Sequence, residues 1–568
     1  MTTTGDTFDA GTCATIGLGD LPGPDNEVTL REAICVSNNT AGDETITFGG
    51  ITGTISPADE LLITGGLTIL GAGAANMTIS GGNAHRVFDI TGGGTVAISD
   101  LTLGNGLNSE GGGLYVSGST VTLTNVVLTE NRSTMHGGGA YLSTGSLTLV
   151  SSVVGGNSAA SRGGGIYNDA GTLDLQSTTV QSNSSDDFTG GIYNYSGTLT
   201  LSNCDVQSNT AANGVGGISN VLGSATLTTV TISRNNAPIG PGGGIANNGT
   251  LALNGSMVSY NSAAGDGGGL YNTGTLTGDQ SAFYQNSASG NGAGIYNTGS
   301  LTLTGGSISN NMAGGDGGGL HNHAGTVSLT GVTLEYNEAG VAAGRVAPAQ
   351  LSGQGGAIFS TTLVPTGLAN GTPVVALALT NATIAHNQAS EGGGIAIESG
   401  TASIQDSTIT ENEAATIGGG VANFGQLTIL TSTIGLNHAG SSGGGIFTNG
   451  PLSVSGSTIE GNSADQGGGG IEIYGDTVTL SGSTINGNTA TERGGGINNI
   501  SGSRRRRTPP SAATAPTAPA AASPAIPAPR RSPSSRSPAT TPTTTAPCRG
   551  MAAASTSSNL SSASPAWR

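Results

Sequence analysis

"GGGIYNDAGTLDLQSTTVQSN" (residues 163–183) decides how the whole chain is read. It opens on three glycines and closes on an asparagine. Between them, apolar residues stand at alternate positions in short pieces: Ile166, Leu173 with Leu175, and Val180. Period-two patterning in Thr- and Val-rich segments cut by Gly, Asn and Ser marks strands, three of them in this stretch.

The same phrase recurs. The first residue of each Gly triplet, or of its degenerate equivalent, falls at 111, 137, 163, 189, 215, 242, 267, 292, 317, 355, 392, 418, 443, 468 and 494. The step is 25–27 residues, except from 317 to 355 and from 355 to 392, where about a dozen residues are added. A second marker keeps pace: Asn131, Asn157, Asn183, Asn209, Asn261, Asn286, Asn311, Asn412, Asn437, Asn462 and Asn488 each stand six residues before a triplet. Such a period with three strands predicts an all-β fold, a right-handed parallel β-helix in which each strand pairs with its equivalents one coil away. Fifteen coils at about 4.8 Å each make a rod of roughly 70 Å. The asparagines are expected to form a stacked structural ladder at a sharp turn, where Asn tolerates the left-handed conformation. A leucine-rich repeat has a similar period but needs a helical or extended outer segment, and a propeller blade needs more residues than one step supplies.

Composition agrees with a solenoid and limits its partners. Glycine numbers 101 of 568 residues, aromatics are 4%, charged residues 9%, and lysine is absent. All 34 carboxylates lie in 1–502 with seven Arg, whereas 503–568 holds nine Arg and no acid. An acidic body repels nucleic acid and anionic membrane. No apolar run reaches the roughly 20 residues of a transmembrane segment. The start, "MTTTGDTFDAGTCATIG", lacks the basic and apolar parts of a secretory signal, so either the protein is cytoplasmic or its true start, with any targeting signal, lies upstream of Met1.

Residues 1–45 read as an N-terminal capping module, 46–110 as irregular opening coils ("ETITF", "LTIL", "MTIS"), and 111–502 as regular coils. Within the module, "DNEVTLREAICVSNN" is the one candidate helix, capped by Asp25 or Asn26, with Leu30, Ala33 and Ile34 on one face. Its expected role is a lid over the open end of the sheets. The stretch "DAGTC…VTLREAICVSNNTAGDETITF" resembles the short N-terminal module named for its Cys-Ser-Leu-Arg-Glu-Ala signature. The "GGGIYN…LTL" coils resemble those of the polymorphic outer membrane protein and related right-handed β-helix families of bacteria. Here Val28-Thr29 stands where the signature has Cys-Ser, and the cysteine is Cys35. The resemblance implies a disulfide, for which Cys13 and Cys35 are the available pair, the alternative being two free thiols. It also implies an extracellular or cell-surface (outer membrane) rod, adhesive or structural, with carbohydrate or another surface protein as partner.

Catalysis in a β-helix needs carboxylates at one offset in adjacent coils, as in pectate lyases and other polysaccharide-cleaving enzymes, the alternative class for this chain. Asp174, Asp205, Asp279 and Asp406 occupy different offsets, and the adjacent pair Asp186 and Asp187 has no matching acid or Arg in the next coil. Glu110, Asp266, Asp316 and Glu391 share the offset before a triplet, but not in consecutive coils. His321 and His323 have a spacing two metal ligands use, without a third; His321 also occupies the position of Tyr115, Tyr141, Tyr167, Tyr193, Tyr271 and Tyr296, which predicts an outward-facing stacked row. Cys204 stands alone and is expected to be buried. No catalytic residue, metal site or cofactor is expected.

The two long steps hold insertions at 340–353 and 360–375, which in a solenoid become loops on one face. Arg345 and Gln354 are the candidate ligand-binding residues there. The Arg/Pro/Ala-rich tail, 503–568, reads as a disordered linker or as a frameshifted copy of further coils. Back-translating "RGMAAASTSS" two nucleotides later permits Gly-Gly-Gly-Ile-Tyr, and the frameshifted reading is the expectation.

Overall fold

The computed structural model describes residues 1–9, 12–341, 351–362 and 375–500, and the backbone of 504–506. The chain divides into two units, Met1–Ala518 and Pro519–Arg568. All of the second lies outside the described residues.

The first unit is a parallel β-solenoid of about 17 turns. The coil that opens on Gly163 shows how it is built. Its strands are Ile166–Asn168, Thr172–Gln176, Thr179–Gln181 and Ser184–Ser185, and each pairs in parallel with the segment one coil on: Ile166 with Ile192, Leu173 with Leu199, Val180 with Val206, Ser185 with Ala211. Four sheets therefore run along the unit, one more than the patterning predicts, because a two-residue strand is too short to show a period. Ile166, Leu173, Leu175 and Val180 are fully buried and stack on their equivalents in one continuous core. Each such side chain contributes roughly 1.5–3 kcal/mol on leaving water.

The asparagine ladder lies inside the wall. Asn209 donates through Nδ2 to Asn235 Oδ1 at 3.0 Å and to the Val180 carbonyl at 3.0 Å, while its own Oδ1 accepts from the Asn183 main-chain N–H and side-chain amide, both at 3.0 Å. The left-handed residue is not the ladder Asn, as expected from sequence, but the one before it: Glu130, Ser182, Ser208, Tyr260, Tyr336 and Glu411 have φ of 54–56°. A buried amide is worth more at this corner than conformational tolerance, because it satisfies main-chain groups of two coils. Asn235, Asn337 and Asn387 complete the ladder. The glycine triplet lies against it: a Cβ on Gly165 would stand 2.9 Å from the Gly191 carbonyl and 3.1 Å from Asn183 Cγ. Close backbone passage over the ladder is what locks the two sequence markers together.

A second ladder, not anticipated, joins Asn168, Asn194, Asn220, Asn247, Asn272, Asn297 and Asn322 through amide bonds of 2.7–2.8 Å. Cys204 is buried in a third, in which Ser152 N–H donates to Thr178 Oγ1 and Thr178 N–H to Cys204 Sγ.

The helix spans Leu30–Asn39, three or four residues later than the start expected from a cap at Asn26 or Asp25. Thr29, rather than Asp25 or Asn26, caps it, because Thr29 and Glu32 form a reciprocal capping box. Leu30 and Ile34 enter the core, and Asn38 bonds the exposed main chain of the first coils, donating to the Leu62 carbonyl and accepting from Thr64 N–H, each at 2.8 Å. Cys13 and Cys35 are joined by a disulfide that ties the N-terminal segment to this helix. Among the described residues no helix is long and apolar enough to cross a membrane. The insertions are described only at their edges, and Arg345 and the 507–568 tail lie outside the described residues. Arg504–Arg506 pair as a strand with Val478–Leu480.

Candidate functional site

One flank of the solenoid is formed by the central residue of each "GIYN" strand and by the residue preceding each triplet. Strand alternation turns Tyr167 away from Ile166 into the outward-facing stacked row read from sequence, but Tyr141, Tyr167 and Tyr193 are buried there and Tyr115, Tyr271 and Tyr296 half-buried. The pre-triplet column folds over them. The Tyr115, Tyr141, Tyr167 and Tyr193 rings stack at 5.0–5.5 Å, His136 lies on Tyr167 at 4.9 Å, and Arg162 lies over Phe188 and Tyr193. Burial pushes the Tyr141 and Tyr167 hydroxyls well above the usual tyrosine range, so these rings serve as packing.

Farther along, the same flank turns acidic. Asp266 Oδ1 accepts from Asn291 N–H at 2.7 Å, Asn291 Oδ1 from Asp316 N–H at 2.8 Å, and Asp316 Oδ1 from Gln354 N–H at 2.8 Å. Gln354 Nε2 then donates to Glu391 Oε2 at 3.0 Å. The acids that share an offset in alternate coils are thus linked through the amides between them, an arrangement that reading the acids alone misses. Burial raises the Asp316 and Glu391 carboxyls above their ordinary range. His321 faces away from the core and stacks in the row, but it is buried between Tyr296 at 5.0 Å and Phe359 at 4.7 Å, and desolvation pushes it down to about 4, so it is neutral at pH 7. His323 is its neighbour at 6.1 Å between ring centres. Among the described residues no three His, Cys, Asp or Glu side chains gather to hold a metal.

The other acids singled out in the sequence do not come together. Asp174, Asp205 and Asp279 lie in strands at non-equivalent positions, paired with Thr200, Thr231 and Thr304, and Asp406 follows the strand Thr401–Gln405. Asp186 is exposed at a corner, and the Asp187 main chain is held by Ser185 Oγ.

A different corner carries a depression of about 500 Å³. It lies where the left-handed column, Tyr336, His386, Glu411 and Leu436, runs beside Gln388, Glu413 and His438 of the short-strand sheet. Tyr336 stacks on His386 at 4.8 Å, His386 Nδ1 is 3.3 Å from Glu411 Oε2, and Gln388 Nε2 donates to Glu413 Oε2 at 3.4 Å. Sequence reading missed this group. Its signal is the residue before each ladder Asn: small or polar in many coils, this position holds Tyr336, His386, Glu411 and Leu436 in consecutive coils. The first insertion begins four residues after Tyr336. What the corner offers chemically is hydrogen-bond acceptance by carboxylates beside exposed apolar faces.

No protein-family model, no curated protein and no solved structure matches this chain.

Proposed function

We propose that the chain is a secreted or cell-surface β-helical rod with an adhesive, structural or glycan-binding role and no identifiable catalytic site. The observation that carries this reading is the use of the repeated polar groups. The asparagines, the buried hydroxyls and the acids of the flank bond to the next coil, so repetition builds length and rigidity rather than a reaction centre. The Cys13–Cys35 disulfide suits an oxidising compartment, and the likeness of the coils to polymorphic outer membrane protein repeats points the same way. The net charge of −18 disfavours nucleic acid as a partner.

A polysaccharide-active enzyme is the second reading, favoured by Glu411 and Glu413 sharing one depression with two histidines. One experiment separates the two. The purified chain is screened against immobilised polysaccharides and intact bacterial surfaces, and the same polysaccharides are assayed for new reducing ends or unsaturated products. Retention on a surface or glycan without turnover is expected. Turnover abolished by Glu411→Gln would establish the enzyme instead.

A further inference from the structure

We infer that the depression between Tyr336 and Leu436 binds a short run of uncharged or cationic sugar rings; this rests on the glycan-binding reading and assigns it a place. The shape comes from the coil geometry. Two columns advance together by about 4.8 Å per coil, so a linear polymer lying along the solenoid axis meets a new pair of side chains at each step. Tyr336 and Leu436, 51% and 60% exposed, stand at the two ends, and about 500 Å³ lies within the range of small-molecule sites.

The corner residues stand out as a consecutive run. Tyr336, His386 and Leu436 have φ of 55–57°, the left-handed value kept at this corner along the solenoid, where other coils place Gly156, Gly461 and Gly487 or mostly polar residues such as Ser182, Ser208, Gln285 and Asn310, with Tyr260 the other large ring. Their bulk adds nothing to the core, since Tyr336 and Leu436 face solvent. The chemistry of the lining selects the ligand. Exposed apolar surface suits the C–H face of a pyranose, and the Glu411 and Glu413 carboxylates accept hydrogen bonds from hydroxyls or an ammonium group. The partners already holding them, His386 and Gln388, set their orientation. Uronic acids meet like charge from both glutamates and from Glu338, one coil before Gln388 in the same sheet.

The test is calorimetric titration of the full chain with tetramers of glucosamine, N-acetylglucosamine and galacturonic acid. It is repeated for Tyr336→Asn, chosen because Asn310 occupies the equivalent corner at φ 56°, and for Glu411→Gln. The site predicts that one or both of the first two tetramers bind and that galacturonate does not. Each substitution should weaken binding about tenfold, the equivalent of ~1.4 kcal/mol. A preference for glucosamine marks the ammonium as the recognised group; equal binding marks the ring and its hydroxyls. Binding unchanged in both variants would overturn this site while leaving glycan binding elsewhere on the rod intact. Galacturonate binding as tightly as glucosamine would overturn the charge argument. If neither favoured tetramer binds while the surface screen finds another glycan, the site is wrong and the wider reading stands; if that screen is also empty, both fall.

Discussion

A buried amide repeated once per coil has to find its partners in neighbouring coils, and Asn209 does so on both sides. Replacing it with Ala strands the main-chain and side-chain donors of Asn183 and the carbonyl of Val180 in the wall of the solenoid. A buried group left without its bond costs about 1–3 kcal/mol. Asn209→Ala is therefore expected to lower unfolding free energy by roughly 3 kcal/mol, on the scale of a Leu→Ala core truncation. Chemical denaturation of the two proteins checks this, and a loss no larger than that of an exposed Thr→Ala would contradict it. This ladder was largely legible from spacing to the glycine triplets. Asn235, Asn337 and Asn387 escaped because they stand seven, eighteen and five residues before their triplets, the eighteen reflecting the first insertion. The second ladder escaped because its asparagines end strands, where a single chain shows no reason for an inward amide rather than a turn.

At the scale of elements, the strips that run along the flank matter more than single strands. The acidic strip joins Asp266 to Glu391 through Asn291, Asp316 and Gln354, and the Asp316 and Glu391 carboxyls are raised mainly by burial. A carboxyl whose folded value is raised binds its proton more tightly in the native state. Its stabilising share is full below the unfolded value near pH 4 and is lost as pH rises through the folded value. Asp316→Asn, which places in the strip the same amide that Asn291 supplies one coil earlier, removes that loss. The variant is expected to have a higher Tm than the parent at pH 7, with the difference vanishing or reversing near pH 3. An equal difference at both pH values would contradict the assignment. Period-two patterning identified the strands and the outward-facing row of Tyr167 and His321, but not what covers it. A strand's outward face shows no sign of the ring that closes over it from a neighbouring corner or coil, as His136 does for Tyr167 and Phe359 for His321. The helix was misplaced at its start for a simpler reason: Asp25 and Asn26 are good caps, but only Thr29 has a Glu three residues on.

At the scale of the solenoid, each of these surfaces depends on one-coil register. The acidic strip, the aromatic stack and the depression at Tyr336 exist only if residues 25–27 apart in sequence are neighbours in space, allowing for the insertions. The architecture was read from the repeat alone, whereas the depression needed coordinates, because both insertions lie between Tyr336 and His386 and because side-chain contacts between two adjacent columns leave no mark in the repeat. The most direct measurement is disulfide trapping between outward-facing positions of the sheet that contains Leu173. Thr200 pairs with Thr226, and Thr226 with Ala252. Adjacent strands at about 4.8 Å bring Cα atoms within disulfide reach, and a two-coil separation exceeds it. Under mild oxidation the Thr200→Cys/Thr226→Cys protein is expected to form the internal cross-link in high yield, and Thr200→Cys/Ala252→Cys is expected to remain reduced. Cross-linking of the second pair as readily as the first, or failure of the first, would contradict the parallel solenoid and every surface derived from it.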